Sequence, residues 1–299
     1  MDARLQRRVQ RYGWDLAADD YEALWQDQLA PAQARLLERM ALQTGEHVLD
    51  VACGTGLVTL RAAHSVGPQG QAIGVDLSER MVQAAERRAR ASGQRHVRWE
   101  RMDAEQLALA DASLDAALCA FGLMYLPEPE QALKELVRVL RPGGRLGLAV
   151  WGERARCGWS ALFPIVDAEV TTEVCPLFFR LGQGDALARL CGQAGATGLR
   201  TERLSTTLHY ASGDEACRAA FAGGPVALAW SRFGDEARAR ACARYLDALA
   251  PWRSGAGYAV PAEFVLVNGH KPERSGERAA SSTVEADLPL GRKECTQES

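Results

Sequence analysis

The chain has no long apolar run. No stretch of about 18 consecutive apolar residues, the length a helix needs to cross a bilayer, occurs in its 299 residues, so no membrane span is predicted. Residues 1–15 contain no apolar core, and we do not expect a signal peptide there. The eight cysteines are scattered without a C-x-x-C pair, which argues against a disulfide framework and favours buried thiols in a cytoplasmic protein.

A surplus of charge of one sign is also missing. The chain has 35 Lys and Arg residues against 38 Asp and Glu residues, a net charge of −3. Proteins that bind nucleic acids or anionic membranes usually carry a basic excess or patch, so we expect a small-molecule partner and no nucleic acid. The apolar fraction of 47% suffices for one large domain with a cap. Composition leaves the oligomeric state open between monomer and homodimer.

From residue 45 onward, predicted strands and helices alternate. The strands are expected at 47–52, 71–76, 97–101, 115–120 and 145–150, with helices near 56–65, 78–92 and 129–140. This alternation predicts a parallel sheet covered by helices on both faces. After Trp151 it stops, and the remaining elements are a helix at 184–194, a strand at 199–210, two helical stretches within 213–250 and a strand at 262–269.

The two ends of the chain differ from this pattern. Residues 1–44 are predicted to form two helices, about 5–26 and 31–43, and the second is expected to begin at Pro31. Residues 271–299 lack apolar periodicity and are rich in Ser, Glu, Lys and Arg, which predicts a disordered tail.

The segment VLDVACGTG at 48–56 carries most of the functional information. An apolar strand contains Asp50 and leads into a turn with Gly54 and Gly56, a helix follows, and a second strand ends in Asp76. Strand, glycine turn, helix and a strand ending in an acid form the nucleotide-binding half of a doubly wound sheet. Glycine lets the backbone approach a ligand closely. A carboxylate at the second strand end suits the two hydroxyls of a ribose.

The nucleotide is not predicted to be a dinucleotide. Counted from Gly54, the third glycine position of the fingerprint G-x-G-x-x-G holds Thr59. Asp50 would repel a pyrophosphate at the helix N-terminus and would attract an ammonium group. A ligand with an adenosine, free ribose hydroxyls and a cationic amino acid end suits both acids, and S-adenosylmethionine is such a ligand. We predict no metal site.

These residues also carry a resemblance to a known family. Asp50-x-Ala52-x-Gly54-x-Gly56, with the later Asp76 and Asp103-Ala104, resembles the class I S-adenosylmethionine-dependent methyltransferases. The segments VLDVACGTG, GVDLSERM and LRPGGRL are most similar to the group with the ubiquinone and menaquinone biosynthesis C-methyltransferases. The resemblance is strong over 44–151 and weaker up to 270.

The resemblance implies a fold and a domain division. The fold would be α/β, a Rossmann-like, doubly wound and mostly parallel sheet of seven strands whose last strand is antiparallel. The methyltransferase domain would cover 45–270, with helical cap insertions at about 152–182 and 211–258 over the substrate site. Residues 1–44 would form a helical lid and 271–299 a tail.

Open sheets bind ligands beyond the carboxyl ends of their strands, which selects the candidate cofactor-binding residues. After successive strands they are Asp50, Ala52, Gly54 and Gly56; Asp76, Leu77 and Met81; Asp103 and Ala104; and Phe121. Leu77 and Met81 would sandwich an adenine, and Asp103 would accept from its amino group. Aromatic residues before the first strand close over the cofactor in related enzymes, which adds Tyr21 and Trp25, although these rings could equally pack the segment on the core.

For a general base the sequence offers His209, beside the predicted roof, and Tyr125, past the fourth strand. Many such enzymes need no dedicated base. The predicted function is methyl transfer to a small apolar or aromatic molecule, with the acceptor atom left open. The alternatives are a protein that binds S-adenosylmethionine without methyl transfer, and an arsenite methyltransferase, for which Cys157, Cys175 and Cys217 would have to converge.

Overall fold

The computed structural model describes residues 3–170 and 178–273. Its strands are β1 His47–Val51, β2 Gln71–Asp76, β3 Val97–Arg101, β4 Leu114–Ala120, β5 Leu140–Trp151, β6 Thr197–Tyr210, β7 Arg253–Ser254 and β8 Gly257–His270. Its helices are α1 Ala3–Met40, α2 Leu57–Val66, α3 Glu79–Ala91, α4 Pro129–Val139, α5 Leu162–Glu169, α6 Ala186–Gln193, α7 Gly213–Cys217, α8 Ala227–Trp230 and α9 Asp235–Leu249. Among these residues, no helix combines the length and the apolar character that a membrane span requires.

The sheet has the doubly wound topology that the alternation predicts. Its strand order is β3-β2-β1-β4-β5-β8-β6, and the two-residue β7 pairs with β8. β1 to β5 are parallel, and β8 runs antiparallel to both of its main neighbours. The predicted seven-stranded fold with an antiparallel last strand is therefore confirmed. Because the chain builds outward from β1 in one direction and then returns to β4 on its other side, the sheet opens a crevice beyond β1 and β4.

The prediction of two N-terminal helices is wrong, because α1 is continuous over 38 residues and contains Pro31. A proline inside a helix removes one backbone hydrogen bond. Here the following turns remain helical because Leu29, Leu36 and Met40 are buried against the rest of the protein. Met40 packs so tightly on β5 that a side chain added at Gly147 would meet its sulfur at 2.5 Å. The C-terminal half of α1 is therefore core, and the lid prediction now concerns its N-terminal half.

The prediction that a disordered tail begins at residue 271 is wrong for residues 271–273, which contact the domain. The backbone N–H of Lys271 donates to the carbonyl of Gly144 at 2.8 Å, and Gly143 donates back to the Lys271 carbonyl at 2.9 Å. The Lys271 ammonium also donates to the carbonyls of Arg138 and Leu140 at 3.0 and 2.7 Å. Residues 271–273 thus belong to the domain, and the rest of the predicted tail lies outside the described residues.

Candidate functional site

A cavity of about 780 Å³ lies beyond the carboxyl ends of β1, β2, β3 and β4. We call it the main cavity. Of the predicted cofactor-binding residues, it is lined by Tyr21, Ala52, Gly54, Asp76, Leu77, Met81, Asp103, Ala104 and Phe121, and the weak catalytic candidate Tyr125 lines it too.

Asp76 fixes the glycine turn at the floor of the main cavity. Its carboxylate accepts one hydrogen bond from the backbone N–H of Gly54 at 2.9 Å and another from Ser78 at 2.8 Å. Burial raises the pKa of Asp76, although these two N–H donors act in the opposite direction. A carboxylate has about four acceptor sites, so lone pairs remain for the hydroxyls of a ligand.

Gly54 and Gly56 have different tasks. Both have positive φ, +54° and +82°, which favours glycine. A Cβ on Gly54 would point towards Tyr21, 3.8 Å away, whereas one on Gly56 would lie 2.6 Å from the ring of Trp99. The structure therefore places Gly56 against Trp99 on β3 and off the cavity wall. Trp99 was not predicted to contact the glycine turn, because its position on a strand gives no indication of this contact.

Asp50 lies behind the glycine turn and does not line the main cavity. Its carboxylate is 2% exposed and accepts a hydrogen bond from the Thr59 hydroxyl at 2.6 Å. Burial raises the pKa of Asp50 to about 7, and the Thr59 hydroxyl offsets part of that shift. Any effect of Asp50 on a bound ammonium group therefore has to act from behind the turn.

The raised pKa of Asp50 predicts a pH-dependent stability. The folded pKa of about 7 exceeds the ordinary 3.8, so stability present at acid pH is lost as the pH rises from about 4 through 7. Asp50→Asn mimics the protonated form and keeps an acceptor for Thr59. Its free energy of unfolding, relative to the wild type, is expected to grow by about 2–3 kcal/mol between pH 5 and pH 8. Urea denaturation at both pH values measures this, and a constant difference would contradict it.

Polar residues of α1, among them two arginines, form a wall of the main cavity that was not predicted from the sequence. Arg7, Gln10 and Arg11 line it together with Trp14. Arg7 pairs with the Asp103 carboxylate at 3.1 Å and with Glu105, which is buried. The spacing of three or four residues between these α1 side chains, which places them on one face of a helix, could have revealed this wall in the sequence.

The N-terminal half of α1 is held over the main cavity by polar contacts and by a narrow apolar face, on which Ala17 and Ala18 are buried. Asp15 accepts from the Ser78 hydroxyl at 2.6 Å, at the N-terminus of α3. Further along, Asp19 pairs with Arg80 at 2.6 Å, and Glu22 with Arg88 at 2.8 Å. Exposed ion pairs contribute little each, so this half is attached less firmly than the apolar C-terminal half.

A second cavity, of about 330 Å³, adjoins the main one, and we call it the aromatic chamber. Its described lining is Trp14, Tyr21, Trp25, Leu29, Phe121, Tyr125, Trp151, Trp159, Gly224 and Pro225, none of which carries a charge. Trp14, Tyr21, Phe121 and Tyr125 line both cavities. Trp25, predicted to contact the cofactor, lies in the chamber and not in the main cavity.

The other chemical candidates lie elsewhere. His209 is exposed on β6, where its backbone bonds to the Gln28 side chain at 3.0 Å, and it lines neither cavity. The Cys157 thiol bonds to the Glu263 carbonyl, whereas Cys217 lies beside Cys242. Cys175 is outside the described residues, and within them no cluster of three or more His, Cys, Asp or Glu residues could hold a metal. The described cysteines are free thiols, most of them buried.

Comparison with known proteins agrees with the family that the sequence motifs resemble. Residues 48–144 match the family described as a methyltransferase domain. A demethylmenaquinone methyltransferase of Lactobacillus johnsonii is 32% identical over 136 residues, which cover 44% of this chain and 56% of that protein. The chain spans about half the length of the curated relatives it matches. The predicted resemblance to class I methyltransferases is thus confirmed.

Solved structures share the fold over most of the chain. The YcgJ protein of Bacillus subtilis has a TM-score of 0.56 at 19% identity, covering 82% of this chain and 99% of that one. The [4+2]-cyclase SpnF has a TM-score of 0.54 at 25% identity, covering 85% of this chain and 84% of that one. The likeness of fold therefore extends past residue 144.

Proposed function

We propose that this protein is a cytoplasmic S-adenosylmethionine-dependent methyltransferase that acts on a small apolar or aromatic molecule. The observation that carries the proposal is a pair of neighbouring cavities, sharing four aromatic residues, at the switch point of a methyltransferase fold. The main cavity suits the cofactor, and the aromatic chamber suits the acceptor. S-adenosylmethionine supplies an activated methyl group on a sulfonium.

The residues of the main cavity fit the parts of this cofactor. Asp76, held by Gly54 and Ser78, would accept hydrogen bonds from the ribose hydroxyls. Leu77 and Met81 offer apolar surface for the adenine. Asp103 would accept from the adenine amino group while keeping its ion pair with Arg7.

The residues shared by the two cavities would align the reacting groups and exclude water. Tyr21 and Phe121 stand where the cavities meet, and aromatic faces favour a sulfonium by cation–π attraction. Burial, followed by the Asp76 and Asp50 carboxylates, raises the pKa of Tyr21, so its phenol stays protonated at neutral pH. Tyr21 would therefore donate a hydrogen bond and not act as a base. This supports a methyl acceptor that is nucleophilic enough to react without a strong base supplied by the protein.

The test separates cofactor binding from transfer, because one structural neighbour is named a cyclase and fold alone does not fix activity. Calorimetry measures binding of S-adenosylmethionine to the purified protein. Radiolabelled S-adenosylmethionine is then incubated with the protein and a small-molecule extract. Label in an apolar product is expected, and much less label with Asp76→Ala at the same cofactor concentration. Binding without labelled product would favour a binding protein that performs no methyl transfer.

We further propose that the N-terminal half of α1 closes as a lid. Arg7, Asp15 and Asp19 make polar contacts that attach it, its buried side chains are small, and bound ligand would add contacts to Trp14 and Tyr21. S-adenosylhomocysteine is expected to slow hydrogen exchange over residues 8–22 by about tenfold or more, with a much smaller change over residues 30–40. Equal protection with and without ligand would mean that this half is fixed.

A further inference from the structure

The walls of the aromatic chamber come from parts of the chain far apart in sequence. Trp25 projects from α1, Trp151 ends β5, and Trp159 belongs to the first insertion. The centroids of Trp151 and Trp159 are 4.7 Å apart, and Trp25 lies 6.0 and 6.1 Å from them. Gly224 and Pro225 of the second insertion close one side. Rings inclined to one another in this way offer faces and edges to a flat aromatic guest.

The charge of the guest is restricted by the same lining. No charged side chain lines the chamber among the described residues, so an ammonium there would be desolvated without a counter-ion. It would also lie next to the cationic sulfonium of the cofactor. The chamber therefore suits an uncharged molecule.

Two polar groups of the chamber, the indole N–H groups of Trp25 and Trp159, are buried without a hydrogen-bond partner among the described residues. The indole N–H of Trp25 is buried and has no acceptor among the described residues, while the ring itself is 4% exposed. The Trp159 N–H differs in its surroundings, because it lies beside the Cys157 thiol; burial raises the pKa of that thiol to about 11, and the Trp159 N–H offsets a small part of the rise. Buried N–H groups in proteins nearly always have an acceptor, so an unpaired one points to a missing ligand atom.

Two glycines lie next to the Trp25 N–H. A Cβ on Gly223 would be 3.6 Å from its Nε1 atom, and a Cβ on Gly224 would be 3.9 Å from the same ring. Gly224 lines the chamber. The two glycines therefore lie directly against this edge of the indole, and they have no side chains that would compete with a bound oxygen for the N–H.

We propose that the aromatic chamber binds a flat, uncharged aromatic molecule that carries an oxygen acceptor, and that the indole N–H of Trp25 recognises this oxygen. The inference rests on the proposed function, since the chamber is taken as the acceptor side of a methyltransferase. Trp25 is then a specificity-determining residue, and a carbonyl or phenolic oxygen is the feature that it selects.

The test uses three small probes of nearly equal shape: 1-indanone with a carbonyl, indane with a methylene in its place, and 1-aminoindane with an ammonium. Each is titrated by calorimetry into the full chain saturated with S-adenosylhomocysteine. We expect 1-indanone to bind about tenfold more tightly than indane and 1-aminoindane to bind most weakly. Trp25→Phe keeps a ring but removes the N–H, and is expected to abolish the preference for 1-indanone. Trp159→Phe, the matched control, is expected to retain it.

A second measurement does not depend on any variant. The wild-type chain has seven tryptophans, and one indole ¹⁵N–¹H resonance is expected to move downfield with 1-indanone but not with indane. The proposal is overturned if neither probe binds, if 1-aminoindane binds best, or if Trp25→Phe keeps the full preference. If any of these results were obtained while S-adenosylhomocysteine binding and methyl transfer remained normal, the proposed function would still hold. A failure of the proposed function would show instead as lost binding of the cofactor or as absent transfer.

Discussion

Asp76→Ala is expected to lower the affinity for S-adenosylmethionine by about a hundredfold. Hydrogen bonds to a charged group contribute about 1.5–3 kcal/mol each, and the substitution removes the acceptor for the ribose hydroxyls. It also frees the Gly54 and Ser78 N–H groups that the carboxylate holds at 2.9 and 2.8 Å, so the glycine turn loses its anchor. Calorimetry with S-adenosylmethionine measures the effect, and circular dichroism checks the fold.

Asp115→Ala is the matched control. Asp115 also accepts from a backbone N–H, that of His47 at 2.8 Å, and pairs with Arg141, but it lies at the opposite end of the sheet. Its loss is expected to leave cofactor affinity within about twofold while costing similar stability. If the two variants bound the cofactor equally well, the ribose role of Asp76 would be refuted.

Gly54→Val is expected to abolish measurable cofactor binding. The φ of Gly54 is +54°, a region that is strained for a β-branched residue. Its Cβ would point towards Tyr21, and the two methyl groups would enter the main cavity that Gly54 lines. The measurement is the same calorimetric titration, extended to millimolar ligand so that weak binding is still seen.

Gly45→Val separates backbone strain from loss of the site. Gly45 has a φ of +88°, and a Cβ there would meet nothing within 4 Å. The variant therefore has a comparable strain of about 1–2 kcal/mol without touching the cavity. We expect it to lower the melting temperature and to keep cofactor affinity. Normal binding by a folded Gly54→Val protein would show that the turn does not approach the ligand.

Much of the main cavity could be predicted because a parallel sheet gathers strand ends at one edge. Gly54, Asp76, Asp103 and Phe121 follow four successive predicted strands, and all four line the cavity. The direction of a side chain could not be predicted in this way. Asp50 lies within β1, and its carboxylate points to Thr59 behind the turn.

Long-range packing decided the features that the sequence concealed. Pro31 is a local signal for a helix start, yet burial of Leu29 and Leu36 keeps α1 continuous through it. The positive φ of Gly56 is a local property, but a side chain at this position is excluded by Trp99, which lies on another strand. His209 falls near the predicted roof in sequence and faces solvent on an edge strand in space.

Local sequence patterns were sufficient to predict the doubly wound sheet and the position of its crevice, because the apolar periodicity, the glycine turns and the strand ends are all local features. The aromatic chamber could be recognised only in the folded chain. Trp25, Trp151 and Trp159 belong to three elements with no shared local pattern, and Gly224 comes from a fourth. Their convergence depends on how α1 and the two insertions pack on the sheet, and contacts between distant segments leave no periodic signal in any one of them.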